Sequence, residues 1–283
     1  MCMKVFVSSI GLFVLVSFVL FSCKTEKRSD TPNGVTYDSI SIAKIYHLDN
    51  DSTKPSCSLK INYIFPVKYT DQKALVNMQK ELNFAMMEDE KYEDLKPADA
   101  VTKYIEDYIE NYKNDAKEQF PDWRDSHDTE DYFSYYKTLT TKVLFDMGGI
   151  TSYQISSMDY KGGANSSTAY RNVVIDLKTG KMVSEQDVFL PEYRKLLNEI
   201  LIRKIVAQNK VQTPDDLLEF GYWGIEDLTS NDNFSVDLNG LTYIFNPGEY
   251  SAPSLGEIRV LLPYNEIKDM LKDNSPISNF AGK

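Results

Sequence analysis

Few residues in this chain could carry bond-making chemistry, and their spacing excludes the familiar constellations. Two histidines occur in 283 residues. His47 precedes Leu48-Asp49-Asn50-Asp51, and His127 sits among Asp122, Asp125, Asp128 and Asp131. There is no His-Glu-x-x-His, Cys-x-x-Cys or Gly-x-Ser-x-Gly, and no Walker loop. A divalent cation needs ligands converging from more than one loop. The acids around His127 follow no ligand spacing and read as a solvated charge run. No metal, cofactor or catalytic residue is therefore expected. The 42 aspartates and glutamates leave carboxylate-pair glycoside chemistry open, but nothing singles out one pair.

Cys23 carries the clearest chemical signal. Lys4 gives a cationic start, residues 5–21 hold no charged side chain, and the run ends in Leu20-Phe21-Ser22-Cys23. That order is a secretory signal. Its end resembles a bacterial lipobox, in which the cysteine is acylated, palmitate among its chains, and becomes the first residue of the mature protein. The apolar run is about 17 residues, the lower limit for a spanning helix. A cleaved signal over residues 1–22 is the expectation, with Cys23 as lipid anchor. Residues 23–36, polar and containing Pro32 and Asn33-Gly34, read as a tether. The rest is then extracytoplasmic and lipid-anchored to the bacterial envelope, at the outer membrane.

Charge and cysteine usage agree with that placement. The formal net charge is −11, and loss of Lys4 with the signal makes it one unit more negative. Nucleic acid is disfavoured, because its binding rests on neutralising phosphates with Lys and Arg. There is no polybasic patch for anionic lipid, so membrane contact is expected through the N-terminal lipid only. The acidity either keeps the domain soluble or steers a basic partner toward it. With Cys2 removed and Cys23 acylated, Cys57 stands alone. No disulfide is then possible, and stability must come from a core.

The elements that would position a site follow from periodicity. Residues 39–46 alternate, and so do residues 57–65, placing Cys57, Leu59, Ile61, Tyr63 and Phe65 on one face of a strand. Cys57 is thus expected as a buried core thiol. A helix opens at Thr70-Asp71 and carries Ala74, Leu75, Met78, Leu82 and Ala85 at helical spacing. A second begins near Pro97 with Val101, Tyr104, Ile105, Tyr108, Ile109 and Tyr112 on one stripe. Such a stripe suits packing on a sheet, with hydroxyls at the rim. Strands are expected over 136–145, 150–158 and 169–177, and a helix over 191–208. Residues 234–245 read as a hairpin turning at Asn239-Gly240, the strongest short turn signal. A strand over 258–262 and a terminal helix over 263–271 complete the chain. Strands and helices come in blocks. The class is therefore α+β, an antiparallel β-sheet with packed helices in two intimately packed subdomains.

Two loops stand apart by their turn chemistry. One is Tyr160-Lys161-Gly162-Gly163-Ala164-Asn165-Ser166, and the other spans residues 245–256 with Pro247, Gly248, Pro253 and Gly256. Glycine and proline there either serve the turns alone or stiffen loops that meet a partner. The first loop, then Val174-Ile175-Asp176-Leu177-Lys178-Thr179-Gly180-Lys181, then Glu185-Gln186-Asp187-Val188-Phe189 and residues 240–256, resembles the RsiV-type extracytoplasmic domain (domain of unknown function 3298). The resemblance covers residues 150–272. It implies an RsiV-like C-terminal domain over 146–275, preceded by a PdaC-like helix-bearing subdomain over 37–145. The family's histidine after Gly-Gly-Ala is Asn165 here, and its tyrosine before the glutamate is Gly248, so no proton-carrying role transfers. Some relatives bind lysozyme and others are linked to peptidoglycan. With no segment ahead of the apolar run, anti-sigma signalling is not expected.

The expectation is a non-catalytic envelope lipoprotein that binds a cell-wall-related ligand, peptidoglycan or a lysozyme-type muramidase, so that its partner is an envelope protein or glycan. Its contact residues are Gly162, Gly163, Asn165, Glu249 and Tyr250, with Trp123 as accessory. The strands before Lys161 and after Leu241 would share a sheet and bring both loops to one rim. Two alternatives stay open. One is an accessory to a cell-wall glycan hydrolase or deacetylase, working through carboxylates. The other is a structural partner in an outer-membrane complex.

Overall fold

The computed structural model describes residues 32–119, 133–162 and 165–283. Cys23 with the expected signal, Trp123, His127 and its neighbouring acids, and Gly163 lie outside these residues. Six strands form one sheet in chain order: β1 (Thr36–His47), β2 (Ser56–Lys68), β3 (Tyr135–Met147), β4 (Ile150–Tyr160), β5 (Ser167–Asp176) and β6 (Lys181–Met182). Neighbours are antiparallel except β2 and β3, which run parallel. A parallel pair needs a long crossover, and α1 (Gln72–Met87) with α2 (Pro97–Gln119) supplies it.

One face of this sheet carries the first core. Cys57, Leu59, Ile61 and Tyr63 of β2 are buried, as their alternation predicts. Asp71 caps α1, its Oδ1 accepting from the N–H groups of Lys73 and Ala74 at 2.9 and 3.0 Å. Ala74, Leu75, Met78, Leu82 and Ala85 then face inward. Tyr108 and Tyr112 of α2 are buried against the same core, and the Tyr112 hydroxyl donates to the Phe133 carbonyl at 3.0 Å. Asn83 is a fully buried polar residue in this layer. Its Oδ1 accepts from the Tyr63 hydroxyl at 2.9 Å, and its Nδ2 donates to the Leu95 carbonyl at 2.8 Å. Sheet, helix and interhelical segment are thus joined by one satisfied side chain.

The opposite face of β4 and β5 carries the second core. A three-stranded antiparallel sheet of β7 (Phe234–Val236), β8 (Gly240–Phe245) and β9 (Ile258–Pro263) packs there, with α4 (Arg194–Gln208) behind it. Short helices α3 (Glu185–Val188) and α5 (Tyr264–Ile267) complete this layer. The Ser152 hydroxyl joins the two sheets, donating to the Val236 carbonyl at 2.8 Å and accepting its N–H at 3.0 Å. The boundary expected at residues 145 and 146 falls inside the β3–β4 hairpin of the continuous sheet.

Three expectations are corrected. The strand before Lys161 is β4 and the strand after Leu241 is β8, and they belong to different sheets. A period of two specifies which face is buried, not which strand lies alongside. The β7–β8 turn centres on Leu238 and Asn239, not on Asn239-Gly240. The Asp237 N–H donates to the Gly240 carbonyl at 3.1 Å, and Asn239 keeps a negative φ. The helix expected from Pro191 begins at Arg194, because Glu192 at φ 64° cannot continue a right-handed helix.

Candidate functional site

The outer edge of β5 is where this fold leaves backbone to be satisfied. β6 is two residues long and pairs only with Ile175 and Asp176. Among the described residues, the rest of β5 has no strand on that side. Side-chain amides from the second layer fill the gap. Asn246 Oδ1 accepts the Tyr170 N–H at 2.6 Å. Asn233 Oδ1 accepts the Asn172 N–H at 2.7 Å while its Nδ2 donates to the Tyr170 carbonyl at 2.9 Å. Amide groups thereby reproduce a strand's ladder and close an edge that would otherwise invite pairing with another chain.

A cleft of about 550 Å³ opens beside this edge. Its floor is apolar, from Leu139, Ile155 and Val173 of the sheet and Met86 and Met87 at the end of α1, with Tyr104 of α2 as a wall. Lys137 and Arg171 rise from the floor, and Lys137 Nζ lies 3.2 Å from Asp159 Oδ2. The opposite rim consists of Asn231, Asp232, Asn233, Asn246 and Glu249. This rim is bound to itself. Glu249 Oε2 accepts the Asn246 N–H at 2.8 Å, and its Oε1 accepts from Asn231 Nδ2 at 3.2 Å. Asn231 Nδ2 also donates to the Ile244 carbonyl at 3.0 Å.

Behind the rim lies a buried acid. Glu185 is 1% exposed. Its Oε2 accepts from the hydroxyls of Tyr193 and Ser230 at 2.9 and 2.8 Å, and its Oε1 accepts the Asp232 N–H at 3.1 Å. The Glu185 N–H in turn donates to Asp232 Oδ1 at 2.5 Å. Desolvation, reinforced by the Glu185 charge, holds the Asp232 carboxyl above the ordinary carboxylate range, while the Glu185 N–H and Arg194 oppose the rise. No nucleophile–base pair emerges among the described residues. Asp232 and Glu249 each accept a backbone N–H group.

The residues predicted from sequence divide between this cleft and elsewhere. Glu249 is on the rim, exposed, with its carboxylate capping its own loop. Tyr250 does not project as an anchor. It is partly buried, edge-on to Phe245 at 5.4 Å, with its hydroxyl accepting the Thr229 N–H at 3.3 Å. Gly162 adopts φ 87° in the β4–β5 turn. Neither it nor exposed Asn165 lines the cleft, since the register Asp159↔Ser167 sets the turn beyond Tyr170. His47 Nδ1 lies 3.2 Å from the Lys54 carbonyl oxygen within the β1–β2 connection. Cys57 is free and buried, as expected.

Sequence reasoning missed Asn231, Asn233, Arg171 and the Glu185–Asp232 pair; it placed Asn246 in a contact loop but not its bond to β5. The run Ser230-Asn231-Asp232-Asn233 is a signal that could have found part of the rim, since Asn and Asp bond to nearby backbone. Among the described residues no helix is long and apolar enough to cross a membrane. Among them, too, no group of three His, Cys, Asp or Glu could hold a metal.

Comparison with known proteins places this rim in a family segment. Residues 186–265 match the DUF3298 model, described as a protein of unknown function. The crystal structure of a DUF3298 family member from Bacteroides fragilis is 28% identical, with a TM-score of 0.82 over 90% of this chain and 100% of that one. A DUF3298 family protein from Pseudomonas aeruginosa, 14% identical, has a TM-score of 0.60 over 85% of this chain and 95% of its own, a likeness of fold alone. No curated protein matches the chain.

Proposed function

We propose that this chain is a lipid-anchored, extracytoplasmic binding protein of the bacterial envelope, and that its cleft takes a segment of peptidoglycan glycan. The RsiV-type and PdaC-like resemblances belong to the same reading. The observation that carries it is the cleft itself, an apolar floor facing a rim of amides already held in place by β5. Binding sites combine apolar walls with a few fixed polar groups. Sugar rings, apolar on their faces and hydroxylated at their edges, match that division. The anchor rests on Leu20-Phe21-Ser22-Cys23.

The test uses the full-length protein in detergent, sedimented with purified peptidoglycan sacculi and, separately, with a basic muramidase. Wild type should co-sediment with sacculi, and Asn246→Ala/Glu249→Ala should lose most of that binding. Capture of muramidase alone replaces the glycan reading, and binding to neither removes it. Membrane fractionation with acyl labelling checks the anchor. Cys23→Ala should be unlabelled and released, and an equally membrane-bound variant rules the anchor out.

A second reading, an accessory of glycan cleavage, is favoured by Asp232, an acid on the rim whose carboxyl is held above its ordinary range. Release of reducing ends from sacculi by wild type, lost in Asp232→Asn, is the result that would establish it.

A further inference from the structure

Arg171 is the cation of the cleft that no carboxylate neutralises among the described residues. It sits on β5 opposite Ile155 of β4, on the face that α1 covers. Its guanidinium carbon lies 5.5 Å from the centre of the Phe84 ring, and its Nη1 donates to the Ala85 carbonyl near the end of α1 at 3.4 Å. These two contacts hold the guanidinium plane. The remaining N–H donors have no partner among the described residues. The other cation of the cleft, Lys137, is paired with Asp159. The acids of the cleft are held elsewhere. Glu249 accepts from Asn246 and Asn231, and Asp232 accepts from the Glu185 N–H. Glu88, exposed just beyond α1, makes no ion pair with Arg171.

A planar guanidinium held in place is a fork for a carboxylate, which it takes through two parallel hydrogen bonds. The floor beside it, Met86, Leu139 and Val173, is apolar. We infer that the cleft binds a carboxylate-bearing ligand with an apolar flank, the carboxylate on Arg171 and the flank on that floor. This deepens the glycan reading and rests on the cleft being the ligand site. The acidic substituent of a cell-wall fragment, on its sugar or its peptide, is what Arg171 selects. Neutral glycans of the same size are then poorer ligands.

Hexanoate and hexanamide, alike in shape and different in charge, test this on the full-length protein in lipid nanodiscs. Titration is followed through the arginine Nε–Hε resonances. Hexanoate should saturate with an affinity about tenfold or more above hexanamide, a difference of about 1.4 kcal/mol, and should move the Arg171 resonance. Arg171→Gln, with an unchanged melting temperature, should bring the two ligands to equal affinity, and Arg171→Lys should retain part of the preference. Should the Gln variant fail to fold, the wild-type preference and the movement of the Arg171 resonance decide. Equal binding of both ligands, no saturation by hexanoate, or an unchanged preference in folded Arg171→Gln overturns the inference. Loss of sacculus binding with the hexanoate preference intact removes the glycan reading and supports this one.

Discussion

Asn233 and Asn172, 61 positions apart, meet where a strand would otherwise be missing, with Asn233 Oδ1 accepting the Asn172 N–H at 2.7 Å. The same side chain donates to the Tyr170 carbonyl, so one residue closes both a donor and an acceptor on the β5 edge. Asn233→Ala should lose both bonds, leaving part-buried backbone groups unpaired at a cost of about 1–3 kcal/mol. Denaturant unfolding checks this, and hydrogen exchange at Asn172 should rise with it. Asn233→Asp, which keeps the acceptor and loses the donor, should fall between the two. An Ala variant as stable as wild type would show that water replaces the amide without loss.

Asp232 makes stability depend on pH in a defined direction. Its carboxyl titrates above the ordinary range when folded, chiefly through desolvation, so the folded state favours the proton. That contribution is fully present below the unfolded pKa and is lost as pH rises through the folded one. Asp232→Asn keeps a neutral acceptor for the Glu185 N–H and also suits the observed φ of 58°. The variant should therefore have a higher unfolding midpoint than wild type at pH 7. The gain should be modest because Asp232 is exposed, and it should vanish in acid below the ordinary carboxylate range. A lower midpoint at pH 7 contradicts the assignment.

Cys57 should be inert. It is fully buried, and burial pushes its thiol up to about 12, with Lys113 pulling weakly the other way. Thiolate is the reactive form. Alkylation by iodoacetamide at pH 8, followed at Cys57 by mass spectrometry, should be about a thousandfold or more slower in the native protein than in denaturant. Comparable rates would mean the sheet opens readily at β2.

Period and composition made much of this fold legible. The alternation from Cys57 to Phe65 gave the buried face of β2, and the stripe from Val101 to Tyr112 gave the packed side of α2. Both are local patterns that burial enforces residue by residue. Much of the cleft was not legible. Asn233 and Asn246 act on β5 from 63 and 76 positions away, and no spacing announces an amide that stands in for a strand. Arg171 reads in sequence as an ordinary polar position of a half-exposed strand. Its unpaired state depends on where Glu249 and Asp232 find their own donors. Leu196, beside buried Leu197 in α4, is 49% exposed, because the helix turns its Leu197–Ile200–Leu201 side to β9.

Gly240 separates local signal from tertiary demand most sharply. Asn239-Gly240 predicts a two-residue turn in which glycine supplies a positive φ. In the structure the turn lies one residue earlier, and Gly240 is the first residue of β8, paired with Pro263 of β9. A Cβ there would lie 2.1 Å from the Leu262 carbonyl oxygen and 2.8 Å from its carbon. Both are backbone atoms of the neighbouring strand, so no rotamer can relieve the clash. Asn239, by contrast, is exposed. Gly240→Ala should destabilise by about 2–4 kcal/mol, through overpacking and strain together, whereas Asn239→Ala should stay within about 0.5 kcal/mol. Unfolding midpoints of the two variants decide between the roles. If glycine served the turn, both substitutions would weaken the hairpin to a similar degree. If it serves the close approach of β9, only Gly240→Ala will, and Asn239→Gly will change little.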